Sequence, residues 1–251
     1  VMNGFRSELI DKIIGVNGHA VVYLYDKINI NKINELKEKI ENLDNVQFVS
    51  KELESQAMLS VNNNASGVVI KGIDKVDLYD RNSIQENIIK GSVSKFDGKS
   101  IIIGVRLAEY LSINLNDNVN ILTTTFNDTP FGNIPINDNF KVVGIFDVGM
   151  YEFDRTVAFM PRIETINLNN ATKKVSQLEV FFNNRENLDT TTTKILSLIE
   201  NEGRVYNWKS IHRELFNALK IEKKVMFLIL SLIIFVAAFN LISSIIMIVK
   251  D

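Results

Sequence analysis

Along residues 226–249 (MFLILSLIIFVAAFNLISSIIMIV) no charged side chain interrupts the apolar pattern. The stretch holds about 16 Leu, Ile, Val and Phe residues. At roughly −0.4 kcal/mol each toward insertion, these outweigh Asn240 and three serines. With a rise of about 1.5 Å per residue, the run matches a hydrocarbon core of about 30 Å and leaves some tilt. Helices buried in soluble proteins rarely stay apolar for so long. Residues 225–250 are therefore expected to form a transmembrane helix, and residues 1–224 a globular domain before it.

The domain shows two periods. Phe5, Leu9, Ile13 and Ile14 fall at helical spacing and stop at Gly15. The run 19–25 (HAVVYLY) reads as a strand. Ile33, Leu36, Ile40 and Leu43 then mark an amphipathic helix whose other face carries Glu35, Lys37, Glu38, Lys39 and Glu41. Short strands follow near 46–49, 57–61 and 67–73, with the asparagines at 62–64 as a turn. A second unit begins near Ser83 with a short helix to Ile89. Residues 100–103 read as a buried strand, and 105–111 as a helix. Residues 119–125 and 140–146 read as paired strands separated by the loop NDTPFGNIPINDN.

Residues 156–160 form another expected strand, stopped by Pro161, which opens a short helix to Leu168. After a strand at 177–182, Asp189 is placed to cap a helix carrying Ile195, Leu198 and Ile199. Residues 205–208 read as extended. From Ser210 a helical pattern (Ile211, Leu215, Leu219) runs without Gly or Pro into the span, which would join domain and membrane rigidly. The expected fold class is α+β. It comprises two interleaved small mixed α/β subdomains, the second (roughly 83–175) inserted in the first, and then the membrane helix.

Charge changes little in this picture. The formal net charge is −2, with 28 basic residues scattered among 30 acidic ones, so a nucleic-acid surface is not expected. Cysteine is absent, which removes disulfides, thiolate metal sites and thiol nucleophiles. The chain opens at Val1 without an initiator or an apolar signal segment, and is expected to be a piece of a longer protein.

Candidate chemistry is thin. The run 67–72 (GVVIKG) has the glycine spacing of a phosphate loop, but Ile73 and Asp74 stand where Lys and Ser/Thr are needed. Gly98-Lys99-Ser100 has the terminal triplet, but Val93 replaces the first glycine and a strand follows. Both read as turns. His19 and His212 belong to no metal-binding pattern, which favours structural roles. Asp74, Asp77 and Asp80 recur at every third position, where a calcium loop alternates its ligands; a solvated turn is expected. No catalytic residue, metal or cofactor site is expected, and nucleotide hydrolysis is assigned to another chain.

Several segments taken together resemble the membrane subunits of lipoprotein-releasing ABC transporters, the LolC/LolE type. They are VMNGFRSELIDKIIGVNGH at 1–19, IIIGVRLAEYLSINLNDNVNI at 101–121 and TPFGNIP at 129–135, followed by FKVVGIFDVGMYEFD at 140–154 and LSLIIFVAAFNLISSIIMIVKD at 230–251. Each is weak alone, and their collinear order over nearly the whole chain carries the resemblance. Val105, and Asn116 with Asp117, depart from the usual pattern.

The resemblance implies a MacB-like periplasmic domain on the bacterial inner membrane, with one membrane helix before Val1 and two more after Asp251. It implies an ATP-binding subunit, a second permease copy or paralogue, a lipoprotein substrate and a periplasmic lipoprotein carrier as partners. The carrier would dock on a protruding hairpin, which the resemblance places at Asn169, Asn170, Ala171, Thr172, Lys173, Lys174 and Val175. Phe227, Leu230, Phe235 and Phe239 would line a path for acyl chains, a role ordinary lipid contact explains equally well. A MacB-like efflux permease and a membrane-anchored periplasmic sensor domain are the alternative functions.

Overall fold

β-branched and aromatic residues at alternate positions gather the strands of this chain into one ten-stranded sheet. The computed structural model describes residues 16–25, 28–62, 64–129, 132–171, 174–184, 187–211 and 213–250. It divides into two units, Val1–Trp208 and Lys209–Asp251. In chain order the first elements are β1 (Ala20–Leu24), α1 (Ile30–Glu41), β2 (Val46–Val61), β3 (Asn64–Ile73), α2 (Lys75–Tyr79), α3 (Asn82–Gln85) and β4 (Ile88–Gly91). Next come β5 (Ser100–Gly104), α4 (Val105–Leu111), β6 (Asn118–Thr129), β7 (Gly132–Phe146), α5 (Tyr151–Thr156), β8 (Val157–Pro161) and α6 (Arg162–Leu168). The last are β9 (Gln177–Phe182), α7 (Leu188–Ile199), β10 (Gly203–Asn207), α8 (Trp208–Ile211) and α9 (Arg213–Lys250).

Strand order is β10-β1-β9-β2-β3-β8-β5-β7-β4, with β6 bridging β7 and β2. The pairings β2–β3, β3–β8, β8–β5, β5–β7, β7–β6 and β6–β2 return to their start. Six strands thus close on themselves, and β9, β1 and β10 continue as an open wing. β2 belongs to both halves: residues 46–52 pair with β9, and 57–60 with β6.

Inside the closed half lie Leu59, Ile70, Ile101, Ile103, Val119, Ile121 and Phe140, joined by Leu107 and Leu111 of α4. A second cluster gathers Ile73, Leu78, Ile84, Phe96 and Ile102 around the rings of Phe146, Phe153 and Phe159. On the wing, α1 buries Ile33, Leu36 and Ile40 and packs on β2 and α7. Each such side chain contributes about 1.5–3 kcal/mol. Gly91 ends β4 at φ +86°, and a methyl group there would run into the Val143 carbonyl, so the turn requires glycine.

Polar stretches account for the departures from the expected elements. The strands at 46–49 and 57–61 are one continuous β2. The intervening SKELESQ lacks apolar alternation, because charge pairing rather than apolar contact buries Glu52. The loop at 127–139 is largely strand, since β6 and β7 run on as a two-stranded arm. Residues 132–137 of that arm are exposed or half-exposed, so burial leaves no periodic mark on them.

Asp74, Asp77 and Asp80 do not form a solvated turn; they flank and occupy α2. Asp77 is buried, accepts the Lys51 N–H at 2.9 Å and lies 3.6 Å from Lys37 Nζ. The glycines at 67 and 72 lie within β3 rather than on a turn. The helix expected from Ser83 to Ile89 ends at Gln85, and Asn187 rather than Asp189 stands at the N-cap of α7.

Candidate functional site

α9 contains the stretch Asn217–Met247, long and apolar enough to cross a membrane, with a mean hydropathy of 2.8 in its most apolar window and none of that window buried. Among the described residues its apolar side chains are exposed along nearly the whole stretch, which suits a hydrocarbon environment. Ser231 returns its hydroxyl to the Phe227 carbonyl at 2.8 Å, so this polar group is satisfied inside the helix. Phe227, Leu230, Phe235 and Phe239 are all exposed. At 3.6 residues per turn they spread over about half the circumference instead of forming one narrow line. His212 lies outside the described residues. His19 is buried, and its Nδ1 accepts the Phe182 N–H at 2.8 Å beside the stacked Phe182 ring, which makes its role structural.

The segment 169–175 connects α6 to β9. Thr172 and Lys173 lie outside the described residues, and no paired strands occur among the others. Asn169 donates to the Thr165 carbonyl and accepts from the Ser55 hydroxyl, both at 2.8 Å. Asn170 takes a left-handed φ of +44°, and the Ala171 N–H returns to the Ile166 carbonyl at 3.1 Å. Arg162 pairs with both oxygens of Asp74, at 3.0 and 2.9 Å, and its Nη1 reaches the Lys174 carbonyl at 3.3 Å. Val175 is fully buried and offers no docking surface. Among the described residues of this connection, Asn170 and Lys174 are exposed and Asn169 and Ala171 half-exposed.

A hairpin with paired strands lies elsewhere, in β6 and β7. Where β6 leaves β2, past Thr123, the two strands pair only with each other, from Phe126 opposite Pro135 to Thr129 opposite Gly132. Phe126 and Ile134 are more than half exposed on this arm. Ile136 of this arm packs against the core of the closed half, whereas Phe126 and Ile134 do not belong to that core. These two suit contact with another surface.

The feature that sequence reasoning missed is a buried charge cluster where β2, β3 and β9 meet the end of α2. Lys71 Nζ stands 2.7 Å from Glu179 Oε1 and 3.3 Å from Glu52 Oε2. Arg81 pairs with Glu52 and lies 3.1 Å from Glu179 Oε2, its guanidinium 5.2 Å from the centre of the Phe181 ring. Gln177 donates to Glu52 at 2.9 Å, and the Gly18 N–H to Glu179 at 3.2 Å. Burial works against the Glu179 charge, but Lys71 and Arg81 outweigh it and hold the carboxyl down at about 2. For Glu52, burial and the neighbouring Glu179 carboxylate push the carboxyl above its ordinary range, against Arg81 and Lys71.

Glu52, Lys71, Arg81 and Glu179 are all buried, and their pairing links β2, β3 and β9 to the residue that follows α2. Among the described residues no group of His, Cys, Asp or Glu could hold a metal ion. The signal in the sequence was two charged residues of opposite sign, Glu52 and Lys71, at inward positions of otherwise strand-like segments.

The strand-rich domain shares its fold with the external domains of two transporter proteins. The periplasmic region of MacB from Actinobacillus actinomycetemcomitans superimposes with a TM-score of 0.50 at 14% identity, covering 84% of this chain and 98% of that one. The extracellular domain of YknZ, an ABC-type transporter from Gram-positive bacteria, gives 0.50 at 15% identity over 76% of this chain and all of that domain.

No family model matches. LolC of Neisseria meningitidis, a lipoprotein-releasing system transmembrane protein, is 31% identical along the whole of this chain, and LolC of Xylella fastidiosa 27%. LolE of Haemophilus influenzae is 22% identical over the same full extent. Along its whole length this chain is similar to these LolC and LolE proteins. It spans about 60% of the length of the curated relatives it matches.

Proposed function

We propose that this chain is the periplasmic domain and following membrane helix of a permease subunit that releases lipoproteins from the inner membrane and passes them to a soluble periplasmic carrier. The observation that carries this reading is the full-length relationship to LolC, joined to a MacB-like domain and one membrane-length helix in a single chain. ATP hydrolysis is assigned to a separate subunit, and a second permease copy or paralogue completes the assembly. The chain's own part is mechanical: to bind, to guide and to transmit motion. Phe227, Leu230, Phe235 and Phe239 present apolar surface that acyl chains can follow. α9 is the element through which motion driven by the ATPase reaches the domain.

The carrier-docking hairpin that the family resemblance implies fits the β6–β7 arm better than 169–175. The arm has the paired strands and the exposed Phe126 and Ile134, whereas the α6–β9 connection is tethered and ends in buried Val175. A photo-crosslinking residue at Phe126, Ile134 or Asn170 of the full-length protein tests both placements. Adducts with the periplasmic lipoprotein carrier are expected from 126 and 134. Adducts from 170 alone would move docking to the α6–β9 connection, and none from any position would contradict carrier docking by this chain.

A further inference from the structure

The sheet ends on two strands of different character. β4 is four residues long, bulged between Ile88 and Lys90, and carries that lysine, which are devices that discourage another strand from pairing. β10, at the other end, runs five residues in unbroken register with β1, with neither bulge nor proline. Among the described residues no strand pairs with its outer side.

The direction of its main-chain groups follows from two hydrogen bonds. The Trp208 N–H donates to the His19 carbonyl at 3.1 Å, and the Tyr25 N–H to the Glu202 carbonyl at 3.0 Å. In an antiparallel ladder, hydrogen-bonded pairs alternate with pairs that exchange no bonds. Pairs 208/19 and 202/25 are of the bonded kind, so Arg204 opposite Tyr23 and Tyr206 opposite Val21 are too. Arg204 and Tyr206 thus turn their N–H and C=O groups toward β1, while Gly203 and Val205 turn theirs outward.

We propose that this edge is self-complementary and that a second copy of the chain adds its own β10 there, antiparallel, about a two-fold axis at Val205. In that register the two Val205 residues exchange their outward main-chain bonds. Arg204 then faces Tyr206 of the second copy, and the same contact recurs on the other side of the axis, as a two-fold interface demands. These are non-hydrogen-bonded pairs, in which the strands approach most closely, at about 4.5 Å between Cα atoms. A guanidinium over a tyrosine face is attractive there. Sliding one strand by two residues would set Arg204 against Arg204 of the second copy, a like-charge pair that penalises the wrong register.

The exposed Tyr206 and Tyr23 rings, 5.8 Å apart, extend an aromatic surface beside the new contact. A five-residue ladder falls short of the roughly 1,200–2,000 Å² of a free-standing interface. It rests on the membrane-subunit reading above, because residence in one bilayer supplies the effective concentration that such a contact needs.

These 251 residues contain no cysteine, so with any cysteine elsewhere in the full-length protein replaced, disulfide trapping reads the contact directly. Two differently tagged full-length copies, one Arg204→Cys and one Tyr206→Cys, are co-expressed, and membranes are oxidised after membrane insertion is verified by carbonate extraction. A disulfide joining the two tags is expected, with little linkage when either variant is expressed alone. Val205→Pro in both copies removes the outward N–H but no bond to β1, and should abolish the link while limited proteolysis shows an intact domain. No link between inserted copies, equal linkage in the single-variant samples, or a link that survives Val205→Pro would each overturn the proposal. None of these outcomes depends on lipoprotein release, so the contact stands or falls apart from the transport function.

Discussion

Lys71 on β3 reaches Glu179 on β9 across the intervening strand β2, Nζ to Oε1 at 2.7 Å, and both side chains are almost wholly buried. The contact joins residues 108 positions apart. It fixes the wing of the sheet to the closed half, because Glu52 on β2 and Arg81 beyond α2 share the same cluster. Removing one member leaves a partner charged and unsolvated. Glu179→Gln should therefore destabilise the domain by about 3–5 kcal/mol, whereas Glu179→Leu combined with Lys71→Met should recover much of that loss. Urea unfolding of the purified protein in detergent, followed by tryptophan fluorescence, measures the difference.

The same cluster predicts acid sensitivity. Glu179 is held at about 2 against an ordinary 4.5. A carboxyl lowered in the folded state adds stability that is complete above about pH 4.5 and is lost as pH falls toward 2. Glu52, raised in the fold, works in the opposite direction and offsets part of this. Unfolding free energy measured from pH 5 to pH 2.5 should fall for the native chain and fall less for Glu179→Gln. Equal slopes for the two would show that Glu179 is not the titrating group.

Arg162 ties α6, α2 and the α6–β9 connection together through Asp74 and the Lys174 carbonyl. Lysine cannot reproduce the two-pronged geometry. Arg162→Lys should cost only about 0.5–1.5 kcal/mol of global stability, yet should speed hydrogen exchange at Ala171 and Ser176, whose N–H groups donate to the Ile166 and Glu52 carbonyls. Unchanged exchange at both would mean the connection is held without Arg162.

The membrane assignment of α9 has its own test. Asp at Ile234, within the apolar stretch, should raise the cost of insertion by about 2.5–3.5 kcal/mol. A glycosylation-mapping insertion assay should show a smaller spanning fraction for Ile234→Asp and no change for Phe235→Leu. Failure of the unsubstituted helix to span would remove α9 from the bilayer.

Legibility followed the source of burial. Where apolar contact buries a residue, its period was readable: Ile33, Leu36 and Ile40 on α1, Leu107 and Leu111 on α4, and the whole apolar run of α9 were all visible. Where charge pairing buries it, the pattern misled. Glu52 lies in a stretch whose polarity suggested a gap between strands, and Asp77 in one that suggested a solvated turn, although both are buried. The β6–β7 arm failed for the opposite reason, since a strand exposed on both faces has no inward set of residues to repeat.

The central claim concerns transport, and reconstitution tests it most directly. The full-length protein, assembled with the proposed ATP-hydrolysing subunit, would be placed in liposomes carrying a triacylated lipoprotein, with the proposed soluble carrier outside. The account predicts ATP-dependent appearance of lipoprotein bound to the carrier, reduced by Phe126→Asp on the β6–β7 arm and abolished by Ala218→Pro inside α9. Assembled vesicles that hydrolyse ATP but transfer no more lipoprotein than samples without ATP would contradict it.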